Sequence, residues 1–441
     1  MKQSKHNIYY SPKEVRTILE RSIDTALDGL KGYCNDPVSD FTRCRKLPAR
    51  TLIECIMSFS NYSSIGELSH FFVGQGEMPS ASALSQRRQL LDPDIFKRIN
   101  NLFVSAFDDH TTINGYHILA QDGSDVNIPF MDDKTKTEKH DAKSFCQYHV
   151  NALYDCINKV FYDWSIDAAS KKREVNALIS ILKDRNYPQN SIFTADRGYE
   201  SYNLMAHFIE NDTKFVIRVK DIHTKSGLMT NIKTEEGAFD MRINRTLTSL
   251  QTKEIKADKE KYIFVPTTSN FDFLDETRVF YDLSFRAVRF KISEDTYETV
   301  VTNLSEEEFK TEDFKELYHY RWNEETAFNK LKYTIGLVYF HARKRKLIQQ
   351  EINAAFLMYN VSEVIIRNID LKKDKKLKLE YDYKPNFSSA VTNIRLYLRK
   401  KINMKELILR IKKFLVGQRP ERSYERNIKG QSCKPLNYRT S

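Results

Sequence analysis

The sequence predicts an α/β protein: a core built on a mixed sheet, interrupted by a β-rich insertion and flanked by helical regions at both ends. Three observations predict it. Apolar residues recur at helical spacing from about residue 12 to 110. From Tyr116 three strand-like runs precede alternating helix and strand. After a second β-rich stretch the helical pattern returns and persists. The implied boundaries are 1–112, 113–220, 221–305, 306–365 and 366–441.

The N-terminal region opens with "SPKEVRTILERSIDTALDGL" and "LPARTLIECIMSFSNYSSIGELSHFF", whose Ser and Pro starts suit helix N-termini. Next comes "SASALSQRRQLL", in which Ser80 and Ser82 are candidate caps and Gln86, Arg87 and Arg88 follow. This unit reads as a DNA-binding headpiece or as a plain helical domain. The core strands are "HILAQDGSDVNIPF", "FCQYHVNALYDC" and "KVFYDWSID", followed by the helix "REVNALISILKDR". Strand "SIFTADRGY", helix "SYNLMAHFIEN" and strand "KFVIRVK" complete the layer. In the insertion, "YIFVP", "LSFRAVRFKI" and "TYETVVTNL" read as strands.

The helix "YHYRWNEETAFNKLK", Tyr318 to Lys332, returns the chain to the core. At about 100° per residue, Arg321, Glu325 and Lys332 project within an arc of about 60° of Tyr318. Leu317, Phe328 and Leu331 form a neighbouring apolar stripe for packing. Without further context such a face is an ordinary solvated one. Past it lie "RKLIQQEINAAFLMYNVSEVIIRN" and a basic C-terminal helical region with its tail.

Composition bounds the partners. With 41% hydrophobic and 29% charged residues and no run of 18 apolar residues, the chain reads as soluble, without a membrane span. "MKQSKHNIYY" lacks a signal-peptide core, and six scattered cysteines form no C-x-x-C pair, so a cytosolic chain with reduced thiols is expected. The formal charge of +11 is segregated: from Arg395 onward 14 Lys and Arg face 3 Asp and Glu, whereas the remainder holds 56 of each sign. Such segregation points to a polyanion, most often nucleic acid.

Two acids stand out in the core. Asp122 lies within an apolar strand, where an ionised carboxylate is costly unless paired or ligating. Asp196 ends a strand, where ligands meet α/β sheets. With Glu325 they would form an all-oxygen site for a hard cation such as Mg2+, able to support two-metal phosphoryl chemistry. Taken singly each is also an ordinary turn or capping Asp. Asp125, at an odd offset from Asp122, faces the other side of its strand and is left out. His149, mid-strand, reads as a packed core histidine. Arg197 either binds a phosphate or pairs with a neighbour.

The chain resembles the DDE transposases of IS4-type insertion sequences. Tyr318, Arg321, Glu325 and Lys332 fit the signature of their last catalytic helix without a gap. "AQDGSD" resembles the segment of the first acid and "TADRGYES" that of the second. "FTRCRKLPARTLIECIM" and "SASALSQRRQLL" are similar to the family's N-terminal helical region. The resemblance implies an RNase H-like core with the insertion between the second Asp and the Glu. It also implies that Asp122, Asp196 and Glu325 hold two Mg2+ ions, for which Mn2+ can substitute. The implied activity is cut-and-paste transposition: nicking at terminal inverted repeats, a hairpin intermediate, and strand transfer into target DNA. A homodimer synapsing two DNA ends in the bacterial cytosol is the implied assembly. Arg321 and Lys332 are then expected on DNA phosphates and Tyr318 on a phosphate or sugar. The resemblance also implies a base-stacking aromatic from the insertion; Tyr297 is on offer, but the equivalent register falls nearer Glu298, and neither is assigned the role. The alternatives are a domesticated DNA-binding protein without the chemistry, and an RNase H-fold nuclease without strand transfer.

Overall fold

A computed structural model of the chain describes all residues except 5–8, 44, 75, 109, 140–141, 170–173, 223, 225, 267, 270, 295, 372–381 and 419–441. Helix α1 (Pro12–Asp28) starts at a capping box. Ser11 accepts from the Glu14 amide, and the Glu14 carboxylate accepts from the Ser11 amide at 2.7 Å. The run "LPARTLIECIMSFSNYSSIGELSHFF" forms two helices, α2 (Ala49–Met57) and α3 (Ser64–Phe72), because Ser63 caps a new start. Ser80 caps α4 (Ala81–Leu90), accepting from the Ala83 amide at 3.1 Å, and α5 (Asp94–Val104) follows. Their apolar faces share one cluster with α11 (Arg345–Arg367), late in the chain. Arg88 of α4 crosses into α11, donating to Glu351 at 2.8 Å and to the Leu347 carbonyl at 2.7 Å. Both side chains are buried, and each charge compensates the other.

A short ladder of β1 (Gln3–Ser4) and β2 (Thr112–Ile113) leads to the main sheet. There β3 (His117–Ile128), β5 (Ala142–Asp155) and β6 (Val160–Ala168) run antiparallel, with β4 (Lys136–Lys139) on the outer edge of β5. Helix α6 (Glu174–Asp184) crosses over to β7 (Ser191–Ala195), parallel to β3. Helix α7 (Tyr202–Glu210) crosses over to β8 (Lys214–Val219), parallel to β7. Parallel neighbours need such crossovers. The spatial order β6-β5-β3-β7-β8 is the RNase H-like core that the resemblance implied.

The inserted strands do not stand apart from this core. After β9 (Phe239–Thr248), α8 (Lys253–Ala257) and β10 (Tyr262–Phe264), β11 (Phe280–Ser293) pairs with β9 and with β12 (Thr296–Thr302). Strand β12 pairs antiparallel with β8, so one mixed sheet of ten strands forms among the described residues. Strand β9 was absent from the strands read in the sequence although Phe239, Met241, Ile243 and Leu247 alternate with polar residues; only Arg245 interrupts the period. Asp240 pairs with buried Arg286 of β11 at 2.7 and 2.5 Å, and Arg245 is itself buried. Side chains alternate across the sheet: Ile118 and Ala120 join the cluster under α11, whereas Leu119 and Leu153 join another with α6 and α7.

The chain returns through α9 (Asp313–His319), α10 (Trp322–Lys330) and a π-helical turn, Leu331–Ile335, that Gly336 ends at φ +114°. Beyond α11, β13 (Asp382–Pro385) pairs with β14 (Leu415–Gln418) around α12 (Phe387–Leu398) and α13 (Met404–Lys413). This strand pair had no counterpart in the sequence reading. Residues 419–441 of the basic tail lie outside the described residues. Among the described residues no helix is long and apolar enough to cross a membrane.

Candidate active site

The helix that carries the signature residues is not one uniform helix. Around Tyr320 and Arg321 the hydrogen bonds tighten to i→i+3, with Arg321 N to Tyr318 O at 3.1 Å and Glu324 N to Arg321 O at 3.0 Å. Both residues keep helical dihedrals, so α9 runs into α10 through a tightened turn. Leu317, Phe328 and Leu331 are buried, and Asn323 donates to the Cys156 carbonyl at 3.0 Å. These contacts seat α10 beside β3 and β5.

The two aspartates come from neighbouring strands. Parallel pairing aligns Ala120 with Thr194; two residues further along each chain stand Asp122 and Asp196. Asp196 follows the last residue of β7 and caps the 3-10 turn Arg197–Tyr199, accepting from the Gly198 amide at 2.7 Å. Glu325 reaches the same place from α10. Arg321, only 5% exposed, ties the set together: Nη2 lies 3.0 Å from Glu325 Oε1 and Nη1 lies 3.6 Å from Asp122 Oδ2.

Electrostatics record the crowding. Burial pushes the Asp122 carboxyl up to about 6; the Gly123 amide and Arg321 oppose that, while the charges of Asp196 and Glu325 add to it. Burial works against the Arg321 charge, but Tyr318, Asp122 and Glu325 outweigh it and hold the guanidinium above its ordinary range. A buried carboxyl held up in this way beside two further acids suits a hard divalent cation, which favours its ionised form. Among the described residues no three acidic, His or Cys side chains converge to coordination distance; the cation standing between Asp122 and Glu325 is Arg321.

The other expected contacts surround this cluster. Tyr318 is buried, its ring 5.7 Å from the Arg321 guanidinium, and its hydroxyl meets no partner in hydrogen-bond geometry among the described residues. Lys332 is half-buried in the π turn, and Arg197 is exposed. Tyr297 covers the Arg289 guanidinium at 4.2 Å, and Glu298 pairs with Arg218 at 3.2 Å.

Two features went unread in the sequence. Glu324 is fully buried beside the Asp122 backbone, and neither of its carboxylate oxygens meets a partner in full hydrogen-bond geometry among the described residues. Burial, then the Asp122 charge, pushes its carboxyl well above the usual range. The signal was present: Glu324 lies four and seven residues before Phe328 and Leu331, on the apolar stripe itself. His149 is buried as expected but charged rather than apolar in its surroundings. Nδ1 lies 2.7 Å from Asp125 Oδ1, and Nε2 lies 3.0 Å from Glu174 Oε1. Burial alone would lower its pKa; the two carboxylates outweigh this and push it up to about 9. The pair sits against Gly123, next to Asp122, where a Cβ would come within 2.3 Å of His149 Nε2. Glu174 also borders Gly198, two residues past Asp196.

Comparison with known proteins follows the same lines. The chain matches the family described as "Transposase DDE domain" over residues 113–361. No curated protein matches it. A piggyBac transposase synaptic complex with hairpin DNA, solved by cryo-EM, is similar at 12% identity. The likeness covers 96% of this chain and 90% of that chain with a TM-score of 0.48, too distant to carry an argument. The family match spans every residue from the first aspartate to the glutamate-bearing helix, and the chain belongs to the transposase DDE domain family.

Proposed function

We propose that this transposase-family protein moves a DNA element by cut-and-paste: it nicks at terminal inverted repeats, forms a hairpin at the element end, and joins the freed strand to target DNA. Asp122, Asp196 and Glu325 are the residues that would hold Mg2+, or Mn2+ in its place. The bound ions would activate the attacking hydroxyl and stabilise the leaving oxygen. One observation carries the reading: Asp122 and Asp196 align on adjacent parallel strands, and Glu325 is tied to Asp122 through Arg321.

The chain's own groups have definable work. Arg321 balances the carboxylates and can turn its fork toward a phosphate oxygen. The Tyr318 hydroxyl is buried beside Arg321 and would reach the same strand only if the helix shifted, while Lys332 and Arg197 would supply point charges along it. Two DNA ends held together require two active sites, hence a homodimer on inverted repeats.

The test incubates purified protein with duplex DNA carrying the element end, Mg2+ and a supercoiled target. Nicks, hairpins and joined products are expected on denaturing gels, and Glu325→Gln should lose all three while still shifting DNA. If Glu325→Gln cuts like the parent, the catalytic assignment fails. Cutting without joined product would leave a nuclease.

A further inference from the structure

A cavity of about 550 Å3 opens between α1, α2 and α12, lined in part by Leu19, Ile23, Met57 and Leu398. Its size is that of small-ligand sites, and its apolar wall is ordinary for one. Its charges are not ordinary. Arg395 and Arg399 stand one turn apart on α12 and its C-terminal end, both facing the cavity.

Arg395 is 7% exposed; Nη2 donates to the Ile335 carbonyl at 3.0 Å, and Nε has no partner among the described residues. Arg399 donates to the carbonyls of Arg395 at 3.2 Å and His70 at 2.9 Å. Every one of these acceptors is neutral. The cavity does hold carboxylates, but other cations engage them. Arg50 takes Asp24 and Glu54, while Arg16 and Lys400 take Glu20 at 3.9 and 3.6 Å. Five cations therefore face three carboxylates, and the two charges left over are those of Arg395 and Arg399. Buried Glu67, the acid nearest in field, is occupied by the Ser60 and Tyr62 amides at 2.7 and 3.1 Å and by His341. Burial drives the Arg395 pKa down to about 10; the Glu67 charge opposes this and outweighs the smaller repulsion from Arg399. Uncompensated buried charge is costly and is normally paired.

We infer that this cavity binds a phosphate group, held by the forks of Arg395 and Arg399. The phosphate comes from a free phosphate ester of mononucleotide size or from a DNA backbone. Occupancy would reach the signature helix, because Arg395 also holds the carbonyl of Ile335, the last residue of the π turn that carries Lys332. The inference stands on these side chains and does not depend on the transposition chemistry.

The test uses the full chain in a chloride buffer. Inorganic phosphate, deoxyadenosine monophosphate and a random-sequence duplex are each titrated by calorimetry against the parent, Arg399→Gln and Arg395→Gln. Saturable binding is expected, weakened about tenfold or more in each variant, as for loss of a charge-assisted contact. Binding of phosphate and the monophosphate, lost in Arg399→Gln, supports the site with a free ester. Binding of the duplex alone, with a shallower salt dependence in Arg399→Gln, supports it with a backbone phosphate. No saturable binding of any probe by the parent overturns the inference, and so does a folded Arg399→Gln that binds all three as the parent does. Arg399 is the less buried of the two, so the test holds whether or not Arg395→Gln folds.

Discussion

His149→Gln probes the strut beside Asp122. The imidazole is 1% exposed and sits between Asp125 of β3 and Glu174 of α6. Its pKa is raised from the ordinary 6.5 to about 9 in the folded chain. The folded state therefore holds this proton more tightly than the unfolded state does. The stabilisation is fully present below pH 6.5 and is lost as pH rises through about 9. At about 1.4 kcal/mol per pH unit, the shift corresponds to about 3 kcal/mol. Glutamine cannot titrate and takes this cation away from both carboxylates. Urea unfolding at about pH 6, 8 and 10 should show the parent more stable by about 3 kcal/mol at the lowest pH, with the two proteins converging at the highest. Parallel stability profiles would refute the buried imidazolium.

Other substitutions test the surrounding packing and charge. Gly123→Ala brings a Cβ to 2.3 Å from His149 Nε2 and 2.9 Å from Glu174 Oε1, groups that hold each other in place. It should cost about 1–3 kcal/mol in urea unfolding, and an unchanged midpoint would show that the strut yields. Arg88→Ala removes the guanidinium from buried Glu351 at the junction of α4 and α11 and leaves that carboxylate to His341. A loss of about 3–5 kcal/mol is expected, and a shift in melting temperature no larger than that of a surface substitution would contradict it. Glu324 holds its proton well above the ordinary carboxyl range, so the parent loses stability as pH rises past 4.5, whereas Glu324→Gln does not. The variant should melt higher, by a margin that widens from pH 6 to pH 9; a constant margin would argue that Glu324 is ionised.

Local pattern carried much of this protein. Strand runs such as "HILAQDGSDVNI" and "KFVIRV" declared themselves by apolar, β-branched content, and Ser11 and Ser80 announced helix starts. The Arg321–Glu325 pair follows from four-residue spacing alone. These features depend on residues within a turn or two of one another, so periodicity and capping chemistry suffice to read them. Only the tertiary structure decided the rest. The alignment of Asp122 with Asp196 depends on the parallel register of β3 on β7, which no residue between them signals. That β9 to β12 extend the core sheet depends on β12 finding the edge of β8. The unbalanced charge of Arg395 and Arg399 exists only because α1 and α2 close over α12 and their acids find other partners. Distant segments meet through packing and pairing across the fold, and a local period in the sequence carries no record of which strand edge or which counter-charge a residue will meet.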